Sequence, residues 1–231
     1  MHAMILAGGA GERLRPYTDY APKPLIPILG RPLLHWQIKW LKEGGIQDII
    51  LLVGYKWHII HTYFNTGEEY GVKLTYSVEK EKLGTGGAIK QGMQYLPENE
   101  DRFLVLNGDI LTYDKVDNLI AADDYFGEKV LGTIMLVQLR SPFGIINTEG
   151  YCITKFQEKP QLPYFINGGI YILHRGIKDK LPDKGNLETE TFPFLAERKR
   201  LFSHISISPW MSIDSHKDLH EAADFLSKKE K

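Results

Sequence analysis

The chain holds a single cysteine, Cys152, in 231 residues. That excludes an internal disulfide and any multi-cysteine metal site, suits a reducing compartment, and leads to the expectation of a cytoplasmic setting. Cys152 itself reads as an inert strand residue rather than a nucleophile. An excess of charge of one sign is missing too. Lys and Arg number 28 against 29 Asp and Glu, for a net charge of −1. No global field would hold nucleic acid or an anionic membrane, and neither is expected as a partner. An anionic ligand would have to be met by a local cluster of cations. Long hydrophobic runs are also lacking. Glycines break the apolar stretch Ala3–Ala7 before it reaches the length of a signal peptide or membrane span, and no later stretch is long enough. Internal repeats and low-complexity linkers are absent, so residues 1–231 read as a single domain. What is present is ordinary globular composition, 43% hydrophobic and 25% charged, enough for a sizeable core.

The first half alternates between two kinds of segment. Residues 3–7, 48–53, 73–78 and 103–106 are short, apolar and partly β-branched, as buried strands are. Between them, Leu33, Leu34, Ile38 and Leu41 form one helical face after Pro32 and before Gly44-Gly45. Residues 57–64 and 86–96 predict two further helices. This alternation argues for an α/β fold, a mostly parallel sheet with helices on both faces. After Asp109 a helix at 115–126 is followed by strands at 130–139, 143–147, 151–157 and 165–173. These read as the far edge of the sheet and a small antiparallel lid. A helix at 190–198, a strand at 202–207 and a last helix from Lys217 complete the chain, whose final Lys-Lys-Glu-Lys is expected to fray.

The segment Leu6-Ala7-Gly8-Gly9-Ala10-Gly11-Glu12-Arg13-Leu14-Arg15-Pro16, continuing to Pro22-Lys23-Pro24, follows a buried strand directly. It therefore lies at the carboxyl end of the sheet, where open α/β folds bind ligands. Its glycines let backbone N–H groups approach phosphate oxygens. Arg13 and Arg15 offer forked donors and Lys23 a point charge, all suited to a triphosphate. The segment is not a P-loop, since no Gly-Lys-Ser/Thr follows. It is not the dinucleotide fingerprint either, because Leu14 stands at the last glycine position. Farther on, Asn107-Gly108-Asp109 puts a carboxylate just past another buried strand, where it could hold Mg²⁺. A second candidate, Asp214 in Trp210-Met211-Ser212-Ile213-Asp214-Ser215, could equally cap a helix.

In order along the chain, Leu-Ala-Gly-Gly-x-Gly-x-Arg-Leu-Arg-Pro, Pro-Lys-Pro-Leu, Leu-Gly-Thr-Gly-Gly-Ala (83–88), Asn-Gly-Asp (107–109), Glu-Lys-Pro (158–160) and Asn-Gly-Gly-Ile-Tyr (167–171) resemble the sugar-phosphate nucleotidylyltransferases. The likeness is greatest to the mannose-1-phosphate and heptose-1-phosphate guanylyltransferase branch. The resemblance implies a Rossmann-like nucleotide-diphospho-sugar transferase fold and a Mg²⁺-dependent transfer from an NTP to a sugar 1-phosphate, giving NDP-sugar and pyrophosphate. By motif match, Leu6, Gly8, Gly9, Gly11 and Gly84 line the nucleotide. Arg13 contacts the leaving phosphates, Lys23 the reacting α-phosphate, and Asp109 the metal. Glu158, Lys159, Asn167 and Gly168 form the sugar-phosphate side. A sugar phosphate needs no general base, so positioning and charge neutralisation suffice.

The chain departs from the family's pattern in three places, one of them Glu-Lys-Pro (158–160), which lacks an aromatic or glycine-rich extension that would sharpen substrate choice. Glu12 replaces a usual threonine or serine and is expected to point outward toward Arg15. The C-terminal metal motif is altered, so that in ungapped register Ser212 stands where the family has its aspartate. The resemblance leaves the second metal position open between Ser212 and Asp214, with Asp214 the expected ligand because related cytidylyltransferases carry one at the Ile-Asp-Ser/Thr position. Glu79, five residues before Gly84, stands where the family touches the base edge. A carboxylate there accepts guanine N1–H and N2–H₂, favouring GTP; UTP and dTTP are the alternatives, and an exposed strand-end charge is the competing reading. Mannose 1-phosphate leads, ahead of heptose, glucose and N-acetylmuramate 1-phosphates. A regulatory, non-catalytic domain of the same fold would be expected to lose Arg13, Lys23 or Asp109, and a nicotinamide oxidoreductase would need the third glycine. The short stretch after the last helix leads to the expectation of no appended β-helix and no acyltransferase activity. Exposed apolar residues on that helix would permit a homodimer.

Overall fold

The computed structural model describes residues 1–229, with only the backbone of Glu128 and Lys229; Glu230 and Lys231, expected to fray, lie outside the described residues. The strands are β1 (Ala3–Ala7), β2 (Pro27–Ile28), β3 (Arg31–Pro32), β4 (Asp48–Val53), β5 (Lys73–Val78), β6 (Arg102–Asn107) and β7 (Ile110–Thr112). They continue with β8 (Gly132–Arg140), β9 (Ile145–Glu149), β10 (Cys152–Gln157), β11 (Gln161–His174), β12 (Leu201–Ile205) and β13 (Trp210–Ser212). The helices are α1 (Tyr17–Tyr20), α2 (Leu33–Glu43), α3 (Trp57–Phe64), α4 (Gly84–Gly92), α5 (Val116–Phe126), α6 (Phe192–Glu197) and α7 (His216–Lys229).

Seven strands form the central sheet in the order β12-β8-β11-β6-β1-β4-β5. The pairs β6–β1, β1–β4 and β4–β5 are parallel, as is β12–β8, whereas β11 runs antiparallel to both neighbours. Successive side chains of a strand point to opposite faces, and the apolar runs divide accordingly. Ile5, Ile49, Leu51, Leu104 and Leu106 pack with Leu34, Ile38 and Leu41 of α2, Ile60 and Phe64 of α3 and Leu119 of α5. Met4, Ile50, Leu52, Phe103 and Val105 pack on the other face with Ala88 and Ile89 of α4 and Phe192 and Leu195 of α6. Both faces are covered, and the mostly parallel arrangement agrees with the α/β expectation.

The structure differs from expectation in three local places. The helix expected at 86–96 begins at Gly84 and ends at Gly92, then tightens into a 3₁₀ turn over Met93–Tyr95. The helix expected at 190–198 is preceded by a wide π turn, Leu187–Thr191, and is itself only Phe192–Glu197. The apolar residues of α7 are not exposed. Leu219, Ala222, Phe225 and Leu226 pack with Leu14, Ile26, Ile28, Leu33 and Ile213 in a third cluster, so this helix offers no free apolar face for the expected dimer. The antiparallel lid is the β9–β10 hairpin, whose residues are exposed apart from the half-buried Ile145. Cys152 opens β10 as an exposed free thiol.

Candidate functional site

Because β1, β4, β5 and β6 run in parallel, their carboxyl ends at Ala7, Val53, Val78 and Asn107 fall along one edge of the sheet. The loops that leave this edge enclose one cleft in two compartments. The first, about 410 Å³, is lined by Gly9, Gly11, Arg13, Lys23, Lys82, Asp109 and Asp214, among others. The second, about 660 Å³, is lined by Gly8, Tyr55, Glu79, Gly84, Thr85 and Asn186, and shares Leu6, Gly9, Lys82, Gly108 and Asp109 with the first.

The first compartment is shaped by the loop after β1. Gly11 has φ +65°, a left-handed conformation that starts the turn Glu12–Leu14 and that side chains with a Cβ resist. Leu14 is anchored in the α7 cluster, which fixes the turn and leaves Arg13 at the cleft. Lys23 Nζ lies 2.9 Å from Asp109 Oδ2 and 3.5 Å from Asp214 Oδ1, and Arg13 Nη2 lies 2.7 Å from the same Asp214 oxygen. Four side chains from three distant stretches thus meet at one point. Lys23 is the enclosed member, its side chain 15% exposed, whereas that of Arg13 is 75% exposed.

Asp214 reaches this point through structure that the sequence did not reveal. The short strand β13 pairs antiparallel with β7, setting Ser212 opposite Ile110, and Ile213 N–H donates to Asp109 O (2.9 Å). Ser212 is consequently held in the ladder, and Asp214 emerges beside Asp109. The alternative role of Asp214 as a helix cap falls away. Asp218 Oδ2 accepts from Asp214 N–H (2.9 Å), Ser215 N–H (2.7 Å) and Ser215 Oγ (2.9 Å), and Asp218 N–H donates back to Ser215 Oγ (3.3 Å). Ser215 and Asp218 form the capping box of α7, which frees the Asp214 carboxylate.

The second compartment is built around Glu79. Its carboxylate is half-buried and accepts Leu83 N–H through Oε2 (3.0 Å). Burial pushes its pKa up, opposed by that hydrogen bond and by the Lys82 charge. The reading as a solvated strand-end charge is therefore wrong. Gly8 faces it so closely that a Cβ at that position would sit 2.6 Å from Glu79 Oε1.

Other sequence-predicted residues are not gathered here. Arg15 pairs with Asp19 (3.3 Å), not with Glu12, and lines neither compartment. Glu12 is exposed and lines both compartments. Glu158, Lys159, Asn167 and Gly168 lie toward the lid and line neither compartment. Glu158 and Lys159 are exposed and loosely paired at 3.9 Å. Asn167 uses Oδ1 to accept Gly169 N–H (2.8 Å) and Nδ2 to donate to the Tyr171 hydroxyl (2.9 Å), so only part of its amide remains for a ligand. Gly168 O accepts the Trp210 indole N–H (2.8 Å). Conversely, Tyr55, Lys82 and Asn186 line the cleft although sequence reasoning passed over them. Lys82 was hidden in the run Glu79-Lys80-Glu81-Lys82, which read as surface charge.

Among the described residues, no group of three or more His, Cys, Asp or Glu could hold a metal. The donor set at the cleft is two carboxylates, which is what Mg²⁺ takes when substrate phosphates and water supply its other ligands. Among these residues no helix is long and apolar enough to cross a membrane.

Comparison with known proteins is consistent with this geometry. The nucleotidyl transferase family matches residues 2–229. The mannose-1-phosphate guanyltransferase of Candida albicans is 37% identical over 227 residues, covering 94% of this chain. The mannose-1-phosphate guanylyltransferase catalytic subunit beta of Xenopus tropicalis is 33% identical over 226 residues, with the same coverage. The chain spans 62% of the length of each of these relatives. Among solved structures, HddC from Yersinia pseudotuberculosis in complex with GMP-PN superposes with a TM-score of 0.76 at 27% identity, covering 97% of this chain and 99% of that one.

Proposed function

The chain belongs to the nucleotidyl transferase family, and from that premise we propose that it transfers a nucleotidyl group from an NTP to a sugar 1-phosphate, releasing pyrophosphate. GTP and mannose 1-phosphate are the favoured pair. The observation that carries this reading is the meeting of Arg13 and Lys23 with Asp109 and Asp214 at the carboxyl end of the sheet. In it, Gly8, Gly9 and Gly11 let the nucleotide approach the backbone, and Lys23 neutralises charge growing on the α-phosphate. Arg13, forked and exposed, holds the departing pyrophosphate. Asp109 and Asp214 would hold Mg²⁺, which supplies charge neutralisation and orientation of the phosphates. The half-buried Glu79 supports guanine, since an ionised carboxylate accepts two donors from that base edge. The names of the Candida and Xenopus relatives support both substrates. Glu158, Lys159, Asn167 and Gly168 serve the sugar phosphate in this reading, from a cytoplasmic protein acting as one domain.

A pyrophosphate-release assay with Mg²⁺ tests it, using a panel of NTPs and sugar 1-phosphates. Turnover is expected to be greatest with GTP and mannose 1-phosphate, and to vanish on chelation of the metal. Lys23→Ala should lower kcat by about 10²–10³, the usual cost of removing one pre-organised charge-stabilising donor. Silence of the wild type across the panel would refute the proposal.

A further inference from the structure

We propose that Lys82 is a further cation on the phosphate chain of the bound nucleotide, reaching it from the turn between β5 and α4, a different wall from the one that carries Arg13 and Lys23. The proposal rests on the reading of the cleft as an NTP site. Lys82 lines both compartments, beside Gly11, Arg13 and Lys23 in one and beside Tyr55, Glu79 and Gly84 in the other. A nucleotide with its base at Glu79 and its phosphates at Arg13 and Lys23 must pass it.

The other members of its charged run are otherwise engaged or placed. Glu79 is held by Leu83 N–H (3.0 Å) and Glu81 by Lys184 (2.7 Å), while Lys80 lines only the second compartment. Arg13 and Lys23 lie against Asp214 and Asp109. Among the described residues no ion pair holds the Lys82 ammonium; the acid it influences is Glu79, whose carboxyl it pulls down against the upward push of burial. Exposed, on a long flexible stem, it can follow a phosphate chain that shifts between substrate and departing pyrophosphate, as a point charge does better than a planar fork.

The test is calorimetric binding of guanosine, GMP and GTP in the presence of Mg²⁺ to the full chain, comparing wild type with Lys82→Met and Lys82→Arg. Methionine keeps most of the apolar stem, and thermal unfolding of each variant checks that the fold is intact. At a pH well above the carboxylate range, where Glu79 stays ionised with or without Lys82, Lys82→Met is expected to weaken GTP about tenfold, to weaken GMP less, and to leave guanosine unchanged. Lys82→Arg should restore most of the loss. The GTP affinity of Lys82→Met should also fall less steeply with added salt. Equal losses for guanosine and GTP would move Lys82 to the base end and overturn the proposal, as would the absence of any loss. If wild type bound none of the three, the NTP reading of the cleft would fall first, and this inference with it.

Discussion

A carboxylate half out of water answers to pH in a way that a surface carboxylate does not, and Glu79 is the residue where this matters. Burial raises its pKa above the ordinary 4.5. In the proposed reading the ionised form accepts guanine, and it is lost, as pH falls, at a higher pH than for an exposed glutamate. GTP affinity should weaken on mild acidification while UTP affinity stays flat, a contrast that titration calorimetry at several pH values would register. The sign for stability is the opposite. A raised folded pKa favours the neutral form, so its contribution is present below the unfolded value and disappears as pH rises through the folded one. Glu79→Gln should accordingly leave the fold as stable at neutral pH, or more so, while shifting base preference from GTP toward UTP or dTTP. An unchanged preference in competition assays would discard Glu79 as the base reader.

At the scale of elements, the carboxylate pair depends on parts that carry almost no signal. The strands β1, β4, β5 and β6 were legible because an apolar run buried on both faces has few other places to go. The loop after β1 was legible through its glycines and cations. By contrast β7 and β13 are three residues each, too short for a period to show, yet their pairing delivers Asp214. Sequence likewise left Ser212 open, since register is a property of pairing rather than of composition. The Arg15 expectation failed for a local reason, because Asp19, four residues on in α1, pairs with its guanidinium. The cap of α7 gives this scale its prediction. Asp218→Ala removes the acceptor of three hydrogen bonds, which should cost about 1 kcal/mol and lower Tm by a few degrees. It should also depress kcat more than it raises KM for GTP, because Asp214 loses its support. An undiminished kcat in the destabilised variant would separate the cap from the site.

Across the whole molecule, α5 is fastened to the sheet by two buried aspartates that line neither compartment of the cleft. Asp123 lies 2.9 Å from Arg102 Nη1, 2.6 Å from Thr133 Oγ1 and 3.0 Å from His174 Nε2, and Asp114 lies 2.8 Å from His204 Nε2 and 2.6 Å from Asn118 Nδ2. Burial pushes both carboxyls up, but their hydrogen bonds outweigh it and hold them below the ordinary 3.8. A depressed folded pKa contributes stability above the unfolded value, and this is lost as pH falls through the folded one. Asp123→Asn should cost about 2–3 kcal/mol in urea unfolding at pH 7. The gap to wild type should narrow below pH 3.8; a gap constant with pH would place the loss in packing instead.

The strand β11 joins the buried sheet to the exposed hairpin, and its pairing with β8 slips twice. Three residues oppose one between Gln161 and Phe165, and again between Asn167 and Tyr171. Each slip works as slack in the thread. Residues can be added to or taken from the hairpin side and absorbed there, while Ile170–His174 keep their partners on β6. The fold is thus modular along a single strand, free to be remodelled at the lid while the edge that carries Asp109 stays in register.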